Sequence, residues 1–188
     1  MTCRHDSPRR SYDTAPTWQV FSERRFLNGP QGALCTTELK KKPRWVFERA
    51  DDIQVFGYTA DGTDPMRAER FVEQNPGVSA RFPLIERGLT KADCLDMIHD
   101  AGIELPMMYQ LGYTNNNCLG CVKGGMGYWN KIRVDFPDVF DRMAAQEREI
   151  GRSCIRGTFL DELEPGRGRY GSEDMSCGPI CQISIPDA

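Results

Sequence analysis

The 188-residue sequence contains no apolar run approaching the roughly 18 residues that a membrane-spanning helix requires, and 27% of its residues are charged. A chain without a membrane helix is therefore expected, and with it a soluble protein. Also missing is the basic segment followed by an apolar core that marks a secretory leader. The chain opens instead on MTCRHDSPRR, so the cytoplasm is the expected compartment. No internal repeat or low-complexity tract occurs. Histidine is scarce: His5 and His99 are the two, and neither lies near a pair of cysteines, so any metal ligands must be sought among the sulfurs. Net charge is only -3, too small and of the wrong sign for whole-molecule attraction to nucleic acid. The length suits one compact domain with a small appended lobe and leaves no room for a second full domain.

Cysteine, by contrast, is plentiful. Eight thiols exceed ordinary usage but fall short of the roughly 8–10% that marks a disulfide-built secreted scaffold. In a reducing compartment such thiols serve more often as ligands or reactive groups than as bridges. Basic charge is concentrated as well: residues 1–49 carry ten Lys/Arg against five Asp/Glu. Arg24, Arg25, Lys40, Lys41, Lys42 and Arg44 either focus a field on a phosphate or sulfate group or form a solvated face.

Residues 1–16 are polar, hold two prolines and read as an arm. TWQVF (17–21) is expected to be a short strand, FLNGPQG a loop, and CTTELKKKPRWVF a helical turn that Pro43 interrupts. IQVFGY (53–58) is the best strand candidate. Asp64 and Pro65 open a helix that Asn75-Pro76-Gly77 stops. RFPLI (81–85) is another short apolar segment. Thr90 caps the most secure helix, with Asp93 three residues on and Gly102 past its end. Pro106 opens a further turn that Gly112 closes. Pro137 starts a longer helix with Val139, Phe140, Met143, Ala144 and Ile150 on one face, ended by Gly151. CIRGTFLDEL (154–163) reads as a strand running into a turn. Helices alternating with short strands predict an α/β domain with parallel pairing.

Three blocks carry chemistry. The first is Asn-Asn-Asn-Cys118-Leu-Gly-Cys121-Val-Lys123-Gly-Gly: two thiolates two residues apart can grip one metal while the intervening Gly lets backbone amides turn toward sulfur. Cys177 and Cys181 lie in a Gly-Pro-containing tail that needs an anchor, and the four sulfurs together would complete a tetrahedral site for zinc or a four-iron cluster. A redox-active Cys118/Cys121 pair is the competing reading. Cys94 and Cys154 are expected in packed positions, a reactive role for Cys154 staying open, and Cys3 as an exposed thiol. The second block, Cys35-Thr-Thr-Glu-Leu-Lys40-Lys-Lys-Pro43, sets a thiol beside ammonium groups that favour its thiolate. Cys35 is thus a candidate nucleophile, or else a buried helix-start residue. In the third, Gly57 through Arg70, a strand end, a Gly-containing loop and a helix start bearing Arg67 and Arg70 form a seat for a phosphorylated ligand, unless those arginines pair with Glu69 and Glu73.

Taken in order, these blocks resemble the phosphoadenosine phosphosulfate (PAPS) reductase-like branch of the adenine nucleotide alpha-hydrolase superfamily, particularly small phage and bacterial members. FPLIERGLTK (82–91), GIELPMMYQLGYTNNNCLGCVKGGMGYWNKIR (102–133), the helix end at 147–151 and FLDEL followed by Cys177 and Cys181 extend the likeness over roughly residues 17–182. The resemblance implies a Rossmann-like parallel sheet, an adenine nucleotide (ATP or PAPS) as ligand, and sulfur reduction, sulfur transfer or adenylation as chemistry. It implies contacts from Lys40, Arg67 and Lys123 to the ligand's anionic groups, and an iron-sulfur or zinc centre. The family's first strand and its Ser-Gly-Gly-Lys type phosphate loop have no counterpart before residue 17, and Gly124-Gly125-Met126-Gly127 is no substitute because no Lys-Ser/Thr follows. The sheet is thus expected to be N-terminally incomplete, its phosphate loop coded upstream, supplied by a partner chain, or lost. The organisation expected on this basis is an arm (1–16), a truncated nucleotide-binding α/β core (17–113) and a Cys-rich, metal-binding, helical C-terminal region (114–188). The rival from another class is a non-enzymatic, metal-stapled module whose basic 24–49 segment meets nucleic acid or a protein.

Overall fold

The computed structural model describes residues 17–29 and 32–170. Among these the architecture is mixed α/β and largely helical, with two two-stranded sheets. The chain begins with α1 (Thr17–Arg24), then a hairpin of β1 (Asn28–Gly29) and β2 (Gly32–Ala33), antiparallel with Asn28 opposite Ala33. It continues through α2 (Leu34–Thr36), a π turn (Thr37–Lys41) and α3 (Lys42–Phe47). Next come β3 (Ile53–Val55), α4 (Asp64–Gln74) and β4 (Ser79–Arg81), with β3 and β4 parallel, Ile53 opposite Ser79 and Val55 opposite Arg81. Helices α5 (Pro83–Glu86), α6 (Lys91–Asp100), α7 (Met107–Gln110), α8 (Met126–Asp135) and α9 (Pro137–Ile150) follow, and a 3₁₀ turn (Leu160–Glu162) closes the described chain.

The start and stop signals act as expected. Thr90 Oγ1 accepts the Asp93 backbone N–H while the Asp93 carboxylate accepts the Thr90 N–H, a reciprocal capping box at α6. Pro137 sits in the first turn of α9, and Gly151 ends it with φ at +74°, the left-handed cap that only glycine adopts cheaply. Phe140, Met143 and Ile150 are buried on the predicted face of α9. They pack with α8, whose Trp129 and Ile132 are wholly inaccessible, and with Leu160 beyond it. Removing the apolar surface of one such side chain from water contributes roughly 1.5–3 kcal/mol before the entropy of ordering is charged against it. A second, smaller apolar group surrounds the parallel pair: the rings of Phe56, Tyr58, Phe71 and Phe82, with Phe56 and Phe71 centroids 4.5 Å apart.

Four expectations are corrected. FLNGPQG is not simply a loop: Asn28–Gly29 and Gly32 belong to the antiparallel β1–β2 hairpin. TWQVF is helix, not strand: Val20 and Phe21 are buried from one side, and Gln146 of α9 donates from Nε2 to the Trp18 carbonyl at 2.7 Å and to Ser22 Oγ at 2.9 Å, contacts that override local β preference. Pro43 does not interrupt its helix. The chain widens into the π turn just before it, with the Lys42 N–H reaching the Thr37 carbonyl, which relieves the clash a proline ring makes with the carbonyl four residues back. Residues 154–163 form no strand; an isolated bridge joins Ile155 to Thr158 ahead of the 3₁₀ turn.

The parallel pair differs from ordinary parallel sheets, which are covered on both faces. Ile53 and Val55, on one face of β3, are 64% and 66% exposed, with Val46 and Phe47 exposed at the end of α3.

Candidate functional site

Two of the three chemical blocks meet. Cys35 and Lys40, from the segment that follows the hairpin, share a cavity of about 160 Å³ with Cys118, Cys121 and Lys123, while Trp18 and Phe21 of α1 supply its apolar wall. The local backbone explains how one helix contributes both a thiol and an ammonium. In an α-helix of about 3.6 residues per turn, positions five apart point well away from one another. The π turn over Thr37–Lys41 rotates less per residue, which brings Lys40 back toward the side of Cys35 and Thr36.

The opposing wall, the Cys118–Lys123 loop, is held by named contacts. Tyr128 Oη accepts the Cys121 backbone N–H at 3.0 Å and donates to the Cys118 carbonyl at 3.3 Å, spanning the loop from within α8. Burial pushes the Tyr128 phenol well above its usual range, so the hydroxyl keeps the proton it donates. Gly120 takes φ of +73°, and a Cβ there would lie 2.9 Å from Val139 Cγ1 and 3.3 Å from the Trp18 ring. The second of the two residues between the cysteines is therefore glycine for two reasons, handedness and contact. A Cβ on Gly124 would collide with the Tyr128 ring. Asn28 Nδ2 donates to the Val122 carbonyl and, at 3.3 Å, to that of Cys154, tying the hairpin to both segments. On the approach to the loop, Lys91 Nζ donates to the Thr114 carbonyl and to Asn115 Oδ1 at 2.7 Å. The Thr114 N–H reaches Tyr170 Oη at 3.2 Å.

Behind the loop lies a buried carboxylate. Glu147 is wholly inaccessible, accepting the backbone N–H groups of Cys154 at 2.5 Å and Leu160 at 2.6 Å. Burial raises its pKa, the two N–H donors opposing that shift. Burial first, then the Glu147 charge, push the Cys154 thiol far up, which makes it a packed, protonated residue rather than a reactive one.

Arg67 and Arg70 lie elsewhere, on α4, and do not line the cavity. Arg67 Nη1 contacts Asp64 Oδ1 at 2.5 Å and its guanidinium lies 4.5 Å from the Tyr58 ring centroid, so its charge is already engaged. Cys94 sits on α6, also away from the cavity. Cys177 and Cys181 lie outside the described residues, as do Cys3 and His5. Among the described residues no three Cys, His, Asp or Glu side chains stand close enough to hold a metal ion. Cys118 and Cys121 are soft thiol donors two residues apart on one braced loop.

Sequence reading pairs Cys118 with Cys121 but does not place Cys35 facing them, nor Trp18, Phe21 and Tyr128 as the frame. Tyr128 has a faint signal, an aromatic seven residues after Cys121 in a Gly-rich stretch, with no local pattern to assign it a role. Compared with protein-family models, curated proteins and solved structures, the chain matches none.

Proposed function

We propose that this chain is a PAPS reductase-like protein with a Rossmann-like core, working in adenine-nucleotide-linked sulfur reduction or sulfur transfer. The observation that carries the reading is the convergence of Cys35, Lys40, Cys118, Cys121 and Lys123 on one cavity. Thiols are the groups that accept or release sulfur, and ammonium groups hold the anion that bears it. In this reading Cys118 and Cys121, with Cys177 and Cys181, hold zinc or a four-iron cluster, which anchors the tail and, if iron, carries electrons. Lys40 and Lys123 receive the anionic end of the ligand.

The uncovered face of β3 supports a further layer on that sheet, supplied by a partner chain that also brings the phosphate loop. The test is made on protein purified without oxygen: metal and acid-labile sulfide analysis, then titration with a non-hydrolysable ATP analogue and with adenosine 3′,5′-bisphosphate. Stoichiometric metal and saturable nucleotide binding are the expected results. Salt-sensitive binding to DNA or RNA with no nucleotide affinity would replace the enzyme by a metal-stapled binding module.

A further inference from the structure

The cavity's size and lining say more about its occupant. About 160 Å³ is the class of space that takes a guest the size of benzene, whereas sites that engulf a drug-sized ligand run to roughly 300–1,000 Å³. A whole nucleotide does not fit entirely inside it, and only an anionic end would enter. A small tetrahedral sulfur anion does, and the walls suit one: two ammonium groups for the oxygens, thiols for the sulfur, and apolar Trp18 and Phe21 that strengthen both contacts by excluding water. Cys35 lies five residues before Lys40 on one helical run, and both line the cavity. Cys118 and Cys121 sit across from it on the braced loop.

We infer that this cavity accepts a free sulfur oxyanion of the thiosulfate class and that Cys35 is the thiolate that takes its outer sulfur. This rests on the sulfur-handling reading above, and departs from it in needing no nucleotide. In the step, the Cys35 thiolate attacks the sulfane sulfur of thiosulfate. The new S–S bond forms on Cys35 as the bond to the sulfonate sulfur breaks, and sulfite leaves with that electron pair. Charge balances on both sides, and the step requires no external oxidant or reductant. Lys40 and Lys123 hold the three oxygens throughout, so they act on the leaving sulfite as well as on the incoming anion.

The test uses the full chain, prepared without oxygen and incubated with thiosulfate. Sulfite release near one equivalent is expected, with a mass gain of one sulfur atom on the peptide that contains Cys35. Cys35→Ser should abolish both. Replacing Lys40 and Lys123 together by alanine should raise the half-saturating thiosulfate concentration roughly tenfold or more, because both charge-assisted contacts to the oxygens are lost. Cys94→Ser should change nothing. Thiol protection and nucleotide binding together separate this inference from the reading beneath it. If thiosulfate yields no sulfite and fails to shield Cys35 from iodoacetamide while adenosine 3′,5′-bisphosphate binds saturably, the inference falls and the nucleotide-linked reading stands. If thiosulfate neither releases sulfite nor shields Cys35, and the nucleotide does not bind, both fall. Sulfur found on Cys118 instead of Cys35 overturns the assignment of the acceptor.

Discussion

Gly120→Ala tests the most tightly specified point of the site. Two costs add there. A non-glycine residue at φ of +73° costs roughly 1–2 kcal/mol through crowding of its Cβ against the backbone. The same Cβ would lie 2.9 Å from Val139 Cγ1, 3.3 Å from the Trp18 ring and 3.6 Å from the Trp129 ring, and forcing an extra carbon into such packing costs roughly 1–3 kcal/mol more. The sum, roughly 2–5 kcal/mol, is a large part of the 5–15 kcal/mol that ordinarily holds a domain together. Gly151→Ala supplies the control, because Gly151 has φ of +74° and a methyl group added there would meet nothing within 4 Å, so only the first cost applies. Urea and thermal unfolding should show Gly151→Ala down by about 1–2 kcal/mol, or roughly 3–6 °C, and Gly120→Ala down by roughly 6–15 °C. Adding Val139→Ala to Gly120→Ala should recover about 1 kcal/mol relative to the sum of the single changes, since the two side chains compete for one space. Equal losses at Gly120 and Gly151, or strict additivity with Val139→Ala, would refute the packing account of the loop.

Other outcomes follow from the same frame. Glu147→Gln keeps the volume but sets an amide N–H against the backbone N–H of Cys154 or Leu160, and should cost roughly 1–3 kcal/mol in urea unfolding. Because burial raises the Glu147 pKa above its usual 4.5, the folded state holds that proton more tightly than the unfolded one. The stability it contributes is present below pH 4.5 and is lost as pH rises through the folded-state value, and Glu147→Gln should remove that component from a pH series. Cys118→Ser and Cys177→Ser should each abolish stoichiometric metal and lower the melting temperature together, whereas full metal content in the Cys177 variant would remove the tail as a ligand source. Lys40→Ala should weaken anion binding with metal content unchanged, and unaltered affinity would displace the anion site from the cavity.

What the sequence discloses divides along the line between local and distant interactions. Helices α4, α6 and α9 announce themselves because their ends are written in side chains that act within one turn: Pro65, Thr90 with Asp93, Pro137 and Gly151. Helix α8 gives no such signal, its start glycine-rich and its body aromatic; Tyr128 and Trp129 make it helical by what they bury against α9 and the cysteine loop. The same holds for α1, whose Trp18 carbonyl is satisfied by Gln146 of α9, 128 residues on. Within the site, the Cys118/Cys121 spacing is legible because both residues share one loop. The approach of Cys35 depends on where α1 and the hairpin set the chain down, and on a π turn that no residue pattern specifies, so only the assembled fold reveals it.

The backbone contact between α8 and the last described segment has a consequence for the cysteine loop. A Cβ on Gly127 would collide with the Arg169 carbonyl oxygen, and one on Gly168 would fall 2.5 Å from the Gly127 nitrogen, so two main chains cross there with no side chain between them. The crossing delivers Tyr170 to the start of the cysteine loop, its hydroxyl on the Thr114 N–H and its ring 5.5 Å from that of Tyr113. A bulkier residue at either glycine would push these main chains apart and lift Tyr170 off the start of the loop, loosening the loop's entry from outside α8.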